Sequence, residues 1–335
     1  MAYGISLENT DNRLIWHNLV QTDLRESLLQ DVRRGLTAEH KHLFPKYLYD
    51  ALGSTLFEAI CLLPEYYLTR AEHEILTRYA ADIVGAWDEP VTLCELGSGN
   101  ADKTRLLLDA LLQRQESLHY VVTDISQTAL ESSSRALLQD YPRLRITAYA
   151  SDYFNALKAM QQEQRGRTLA IFLGSNIGNF AYDDALEFLR AVRGALQTGD
   201  GLLLGADLRK EKAVLEAAYD DELGVTAAFN RNILARLNHE LDADFNVRAF
   251  RHIAEYNAAE GCVGLYLESR KAQAVTLRAL DLTVNFAAGE RLHTENSCKY
   301  TSEQLAQMAH ATGFVPMQQW FDERRQFSSN LWRAI

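Results

Sequence analysis

The stretch "LCELGSGN", residues 93–100, ends an apolar run in an acid, a leucine and two glycines one residue apart. The run begins at Val91 as "VTLCELG", and the amphipathic "DKTRLLLDALLQR" follows it. Strand, glycine turn and helix in that order look like the opening of a nucleotide site, because glycine lets backbone approach a ligand where a Cβ would clash. The same unit recurs downstream. "LHYVVTDIS" precedes "QTALESSSRALLQD", "LRITAYASD" follows, "LAIFLGSNIG" precedes "DDALEFLRAVRGAL", and "GDGLLLGADL" comes next. Regular alternation of short apolar runs with amphipathic helices implies crossover units and a parallel sheet covered on both faces.

On either side the texture differs. Residues from about 20 to 85 read mainly as helices, with apolar positions at helical spacing in "DLRESLLQDVRRGL" and "GSTLFEAICLL". After Asp207 the alternation stops. Residues 210–240 read as two helices and 247–290 as strands, for example "CVGLYLESR", which suggests a second, smaller lobe. Thr301 with Gln304 forms a capping box for "SEQLAQMAHAT", Gly313 stops that helix, and "FVPMQQWFDERRQFSSNLWRAI" reads as two final strands that complete the sheet.

The whole chain sets limits. Its 335 residues with 47% hydrophobic content can bury one large core or two linked ones. No apolar run approaches the roughly 18 residues of a membrane helix, and "MAYGISLENTDNRLIW" lacks a basic region followed by an apolar block, so a cytoplasmic protein with no membrane partner is expected. A formal net charge of −11 argues against reading a nucleic-acid backbone and favours a small-molecule substrate. Cys61, Cys94, Cys262 and Cys298 show no paired spacing; they are expected as buried reduced thiols, with neither a zinc site nor a disulfide framework.

In an open parallel sheet the ligand lies past the carboxyl ends of the strands. The first run ends in Gly97, Ser98 and Gly99. The second ends in Asp124, placed to accept the hydroxyls of a ribose. The third ends in Ser151, Asp152 and Tyr153, where a carboxylate suits an adenine amino group and a ring suits its face; the fourth ends in "GSNIGNF". A dinucleotide site shares the turn and the acid, but it wants a third glycine and a pyrophosphate over the helix N-terminus. Asp102 stands there instead. A cofactor with an amino-acid tail and a sulfonium, S-adenosylmethionine, fits better.

In five blocks the sequence resembles the histidine-specific Nα-methyltransferases of ergothioneine biosynthesis: "YDALGSTLFEAICLLPEYYLTRAEHEIL", "ELGSGNADKTRLLLDAL", "GSNIGNF", "AYDDELGVTAAFNRN" and "TENSCKY". The resemblance implies an α/β fold: a class I methyltransferase-like doubly wound sheet with a second α+β substrate-binding lobe. The core would comprise 70–209 and 300–335, the amino-acid lobe 1–69 and 210–299. It implies cofactor contacts at Gly97, Lys103, Asp124, Asp152 and Tyr153, the last commonly Phe in relatives. It further implies an amino-acid pocket of Tyr49, Tyr66, Asn179, Tyr219, Glu295 and Ser297. Asn179 and Tyr219 suit a carboxylate, and Glu295 with Ser297 the two nitrogens of an imidazole.

The expected reaction is Nα-methylation of L-histidine, repeated to the trimethylated betaine, hercynine, by in-line displacement at the sulfonium methyl. Positioning would supply most of the catalysis, with Tyr49 orienting the amine and the chain acting as a monomer. Two features leave a tryptophan-type substrate open: "GSNIGNF" stands where the histidine enzymes more often carry a second glycine and a threonine, and Leu265 stands where they carry methionine. A nicotinamide-dependent reductase would explain the glycine turn and Asp124 but gives the downstream pocket residues no task.

Overall fold

The computed structural model describes residues 12–19, 24–99, 101–161 and 166–335, so the expectations for the first eleven residues, for the beginning of the N-terminal helical stretch and for Asn100 lie outside it. In chain order the elements are β1 (Leu14–Asn18), α1 (Leu24–Leu36), α2 (Ala51–Cys61), α3 (Leu68–Val84), β2 (Val91–Leu96), α4 (Thr104–Arg114), β3 (Leu118–Asp124), α5 (Gln127–Asp140), β4 (Leu144–Ala150), α6 (Tyr153–Gln161), β5 (Arg167–Phe172), α7 (Tyr182–Ala195) and β6 (Gly201–Asp207). Then follow α8 (Lys212–Tyr219), α9 (Val225–Glu240), β7 (Phe250–Asn257), β8 (Cys262–Ser269), β9 (Gln273–Leu277), β10 (Leu282–Phe286), β11 (Arg291–Cys298), α10 (Ser302–Ala311), β12 (Phe314–Phe321) and β13 (Phe327–Ala334).

The main sheet runs β1-β4-β3-β2-β5-β6-β13-β12. Its first six strands are parallel; β13 is antiparallel to both β6 and β12. Strands β2 and β6 are buried along nearly their whole length because helices cover both faces, which is why they read as continuous apolar runs rather than alternating ones. The order reverses at β2, between β3 and β5, and so creates the crevice in which such sheets bind ligands. This is the class I methyltransferase-like doubly wound arrangement. Helix α4 buries Leu107, Leu108, Leu111 and Leu112 at helical spacing, and the Thr301–Gln304 capping box forms with both reciprocal bonds.

The long insertion between β6 and α10 folds as α8, α9, a three-stranded antiparallel sheet β11-β8-β7 and the hairpin β9–β10. Its two ends meet: Tyr300 N donates to Asp207 O at 3.0 Å and Arg209 N to Tyr300 O at 3.0 Å. The insertion is thus closed at a neck on the end of β6.

Two expectations are corrected. Residues 1–69 do not all belong with the amino-acid lobe, since Leu14–Asn18 pairs in parallel with Ile146–Ala150 and covers an otherwise open edge of the main sheet. Nor are all four cysteines reduced: Cys262 and Cys298 form a disulfide, while Cys61 and Cys94 remain thiols. The pair is directly opposed in the β8–β11 register, a proximity that a sequence separation of 36 does not announce.

Candidate functional site

The glycine turn after β2 carries φ of +78° at Gly97 and +52° at Gly99, the left-handed region that glycine occupies without cost. A Cβ on Gly97 would lie 2.7 Å from the Tyr153 hydroxyl, so the turn needs glycine sterically as well. The acid of the motif faces inward. Glu95 accepts from Thr104 Oγ1, 2.8 Å from each carboxyl oxygen, and from the Tyr120 hydroxyl, which ties β2 to the first turn of α4. Burial pushes its pKa up to about 7, against the lowering effect of those hydrogen bonds.

At the end of β3, Asp124 accepts from Gly99 N at 3.1 Å and Ser126 N at 2.9 Å, and burial raises its pKa. It therefore braces the glycine turn from the position expected to meet a ribose. Asp152, exposed after β4, accepts from Asn155 N at 2.9 Å and Asn155 Nδ2 at 2.7 Å. Tyr153 packs its ring against Phe172 and Phe188, with centroids 5.5 and 5.6 Å away, and aims its hydroxyl at Gly97. That ring lies against the turn, engaged in core contacts rather than standing as an open stacking platform.

Lys103, just before α4, is paired with Glu72 of α3, a residue the sequence reading overlooked. The Glu72 carboxylate is fully buried and also accepts from Gly174 N at 2.9 Å, so one acid holds both a cation and the loop after β5. The signal was present: Leu68, Ala71, Glu72, Ile75 and Leu76 form the buried stripe of α3, with an acid in the middle of it.

All six residues expected in the amino-acid pocket line one cleft. Tyr49 comes from the turn before α2, Tyr66 from the turn before α3, Asn179 from the loop after β5, and Tyr219 from the end of α8. Glu295 and Ser297 share one face of β11 because alternate residues of a strand point the same way. Phe57, Phe229, Thr226 and Leu265 complete the wall, and Leu265 is the register partner of Glu295. Gly174, Ser175 and Asn176 form the side toward the main sheet, so the loop after β5 joins this cleft to Lys103.

Aromatic packing orders the cleft. Tyr49 meets Phe57 and Phe229 edge-on at 5.5 and 5.4 Å, and Tyr66 meets Tyr219 at 5.9 Å. Burial holds the Tyr49 phenol well above its ordinary pKa, with Glu295 adding to the effect, so its proton stays in place at neutral pH. Glu295 is 7% exposed and its carboxyl has no hydrogen-bond partner among the described residues; burial pushes its pKa up to about 8 even though Lys299 pulls the other way. An acid held out of water with its acceptors open can accept from an N–H group that enters the cleft.

The expected division of labour was Tyr219 with Asn179 and Ser297 with Glu295. The geometry adds a link between the halves: the Tyr219 hydroxyl and Ser297 Oγ are 2.7 Å apart. His252, whose pKa burial lowers, supports Tyr219 from behind, Nε2 donating to its carbonyl at 2.8 Å while Nδ1 accepts from Asn230.

A family profile described as "Histidine-specific methyltransferase, SAM-dependent" matches residues 28–334. The chain is 44% identical over 306 residues to the histidine N-alpha-methyltransferase of Mycolicibacterium smegmatis, covering 91% of this chain and 94% of that one. It is 44% identical over 305 residues to the histidine N-alpha-methyltransferase of Mycobacterium tuberculosis, again covering 91% and 94%. Ergothioneine biosynthesis protein 1 of Schizosaccharomyces pombe is 29% identical over 276 residues, which are 80% of this chain and 35% of that one.

Proposed function

Since the chain belongs to the histidine-specific, S-adenosylmethionine-dependent methyltransferases, we propose that it methylates the α-amine of L-histidine, in successive turnovers, to the trimethylated betaine that opens ergothioneine biosynthesis. The observation that carries the histidine reading is the buried, open-acceptor Glu295 carboxyl beside Ser297 in a cleft that it shares with the rings of Tyr49, Phe57, Tyr66, Tyr219 and Phe229. A ring without an N–H group would leave that acid unsatisfied, which costs about 1–3 kcal/mol.

The residues at the strand ends fit the cofactor. Gly97 and Gly99 leave its approach unobstructed by side chains of their own, Asp124 offers a half-buried carboxylate for ribose hydroxyls, and Asp152 stands at the adenine end while Tyr153 backs the glycine turn. Lys103 is the cation for the carboxylate of its amino-acid tail. When bound, the cofactor supplies an electrophilic methyl on a sulfonium with a good leaving group. The protein's task is then to place the substrate amine in line with that methyl and exclude water. Asn179 and Tyr219 hold the substrate carboxylate, Glu295 and Ser297 the ring, and Tyr66 and Phe57 the apolar walls. Tyr49 keeps its own proton, so it is assigned to orienting the amine through its phenol oxygen; the proton lost from nitrogen passes to solvent.

We further assign the main sheet and its helices to the cofactor, and α2, α8, α9 and the strands β7 to β11 to the amino acid. The chain acts as a monomer in the cytoplasm on this reading; no described helix is long and apolar enough to cross a membrane. The test is mass spectrometry of the protein incubated with S-adenosylmethionine and an equimolar amino-acid mixture. Histidine carrying one, two and three methyls supports the proposal. Methylated tryptophan with unmodified histidine would overturn it, and the wall at Leu265 would then define the pocket.

A further inference from the structure

Lys299 is a fully buried ammonium with no task in the mechanism above. It lies two residues beyond Ser297, where β11 ends and the insertion returns to its neck, and all three of its N–H groups are engaged. They reach Asp207 Oδ2 at 2.9 Å, the Tyr219 hydroxyl at 2.8 Å and Ser297 Oγ at 2.8 Å. An ammonium only donates, so both hydroxyl oxygens accept from it. The two hydroxyls also bond to each other, which takes one of their two protons and leaves one to face the cleft. With a carboxylate in the cleft, the phenol, as the stronger acid, gives its proton there, and Ser297 donates to the phenol oxygen. The result is a chain from Lys299 through Ser297 and Tyr219 to the substrate, polarised by a cation at its buried end.

The charges agree. Lys210 also reaches Asp207, Nζ to Oδ1 at 2.6 Å, so two ammonium groups share one carboxylate. The neighbouring Asp322 carboxylate is taken up by the backbone N–H groups of Arg324, Gln326 and Phe327. Asp322 balances Lys210, so Lys299 is the cation that reaches the cleft, through the hydroxyls of Tyr219 and Ser297.

We propose that Lys299 is a positioning residue for the carboxylate of the amino-acid substrate, acting through the hydroxyls of Tyr219 and Ser297. The inference rests on the Nα-methyltransferase reading. Its test compares histidine with histidinamide, which keeps ring and amine but lacks the anion, in the parent, Lys299→Met, Lys299→Arg and Lys299→Met in a Tyr219→Phe/Ser297→Ala background. In Lys299→Met the KM for histidine should rise at least tenfold with little change in kcat. Histidinamide should change less than threefold, and calorimetric affinity for S-adenosylmethionine should be unaltered. Lys299→Arg should recover part of the loss, and Lys299→Met should add nothing where both hydroxyls are already gone.

Equal losses for both substrates, or full additivity in the triple variant, would make Lys299 a structural residue and overturn the inference. A parent that methylates no histidine would overturn the functional reading and this one with it, an outcome visible before any variant is made. If Lys299→Met does not fold, Lys299→Gln decides by the same ratio: a histidine-to-histidinamide preference as large as the parent's refutes the role.

Discussion

The sharpest consequence of the site concerns the proton on Glu295. Burial lifts this carboxyl from the ordinary 4.5 to about 8, with only Lys299 opposing it. The folded protein therefore binds that proton more tightly than the unfolded chain does. Stability from this group is fully present below pH 4.5 and is lost as pH rises toward 8, where the folded state must accommodate a buried anion. At about 1.4 kcal/mol per pH unit the full loss has a ceiling of about 5 kcal/mol. Glu295→Gln keeps the shape and removes the titration. Urea unfolding of both proteins at intervals from pH 5 to 8.5 should show the parent falling relative to the variant by about 1 kcal/mol per pH unit.

Substrate binding should follow the same logic in reverse. On the proposed reading, the complex would share one proton between Glu295 and the imidazole, whose ordinary pKa is about 6.5. Between those limits the free protein already carries that proton and the free ring is neutral, so binding requires no net exchange. Calorimetry with S-adenosylhomocysteine present, which prevents turnover, should find a plateau in histidine affinity from about pH 6.5 to 8 that declines on both sides, as expected of a coupled pair. In Glu295→Gln the alkaline decline should disappear. Parallel unfolding curves, together with a parent affinity as flat as the variant's, would refute the assignment of a raised pKa to Glu295.

Other expectations are briefer. Asp124→Ala should weaken S-adenosylmethionine binding by about 1.5–3 kcal/mol by calorimetry, the range of a lost charge-assisted hydrogen bond; unchanged affinity in a folded variant removes Asp124 from the site. Glu72→Ala leaves Lys103 and Gly174 N unpaired, and urea unfolding should register a loss of about 2–4 kcal/mol. Reduction of Cys262–Cys298 should lower stability by about 3–4 kcal/mol, as expected for opening a loop of that length; alkylation with and without reductant reports the bond itself. Glu295→Ala should depress kcat/KM for histidine far more than for tryptophan; equal losses would make the acid structural.

The parts of this architecture that could be read from sequence are those written locally. The parallel half of the sheet announces itself through the spacing of apolar residues, and the positive φ of Gly97 and Gly99 through the residue type. The Thr301–Gln304 box and the final two strands are equally local. What escaped were pairings. Glu72 was visible as an acid in an apolar stripe, but nothing in α3 says that its partners are Lys103 and Gly174. Strand alternation puts a polar face on β11 at Glu295 and Ser297, but not the cation beyond them or the Asp207 it meets. Cys262 and Cys298 oppose each other only once β8 and β11 pair. Periodicity reports which face is buried; it carries no information about what lies across from it. The pocket tyrosines, isolated from one another along the chain, were legible only through the family blocks that contain them.

The neck of the insertion explains why so many of those hidden pairs fall in one place. Because Tyr300 returns to hydrogen-bond with Asp207, the last residues of β6 and the residue after Lys299 are forced together, and Asp207 becomes the hub of two lysines and Tyr67, whose hydroxyl lies 2.9 and 2.7 Å from its carboxyl oxygens. Buried charges of this kind are poor sources of net stability, since desolvation consumes most of their attraction, but removing one partner is costly. Their value here is geometric. The same contact that closes the insertion onto the main sheet also fixes the hydroxyls of Tyr219 and Ser297, so the amino-acid cleft is shaped only when the neck is shut. Asp207→Asn, which keeps the volume but removes the anion that both lysines share, should therefore disturb histidine binding and thermal stability together, whereas Asp124→Ala should alter cofactor affinity with a smaller effect on unfolding.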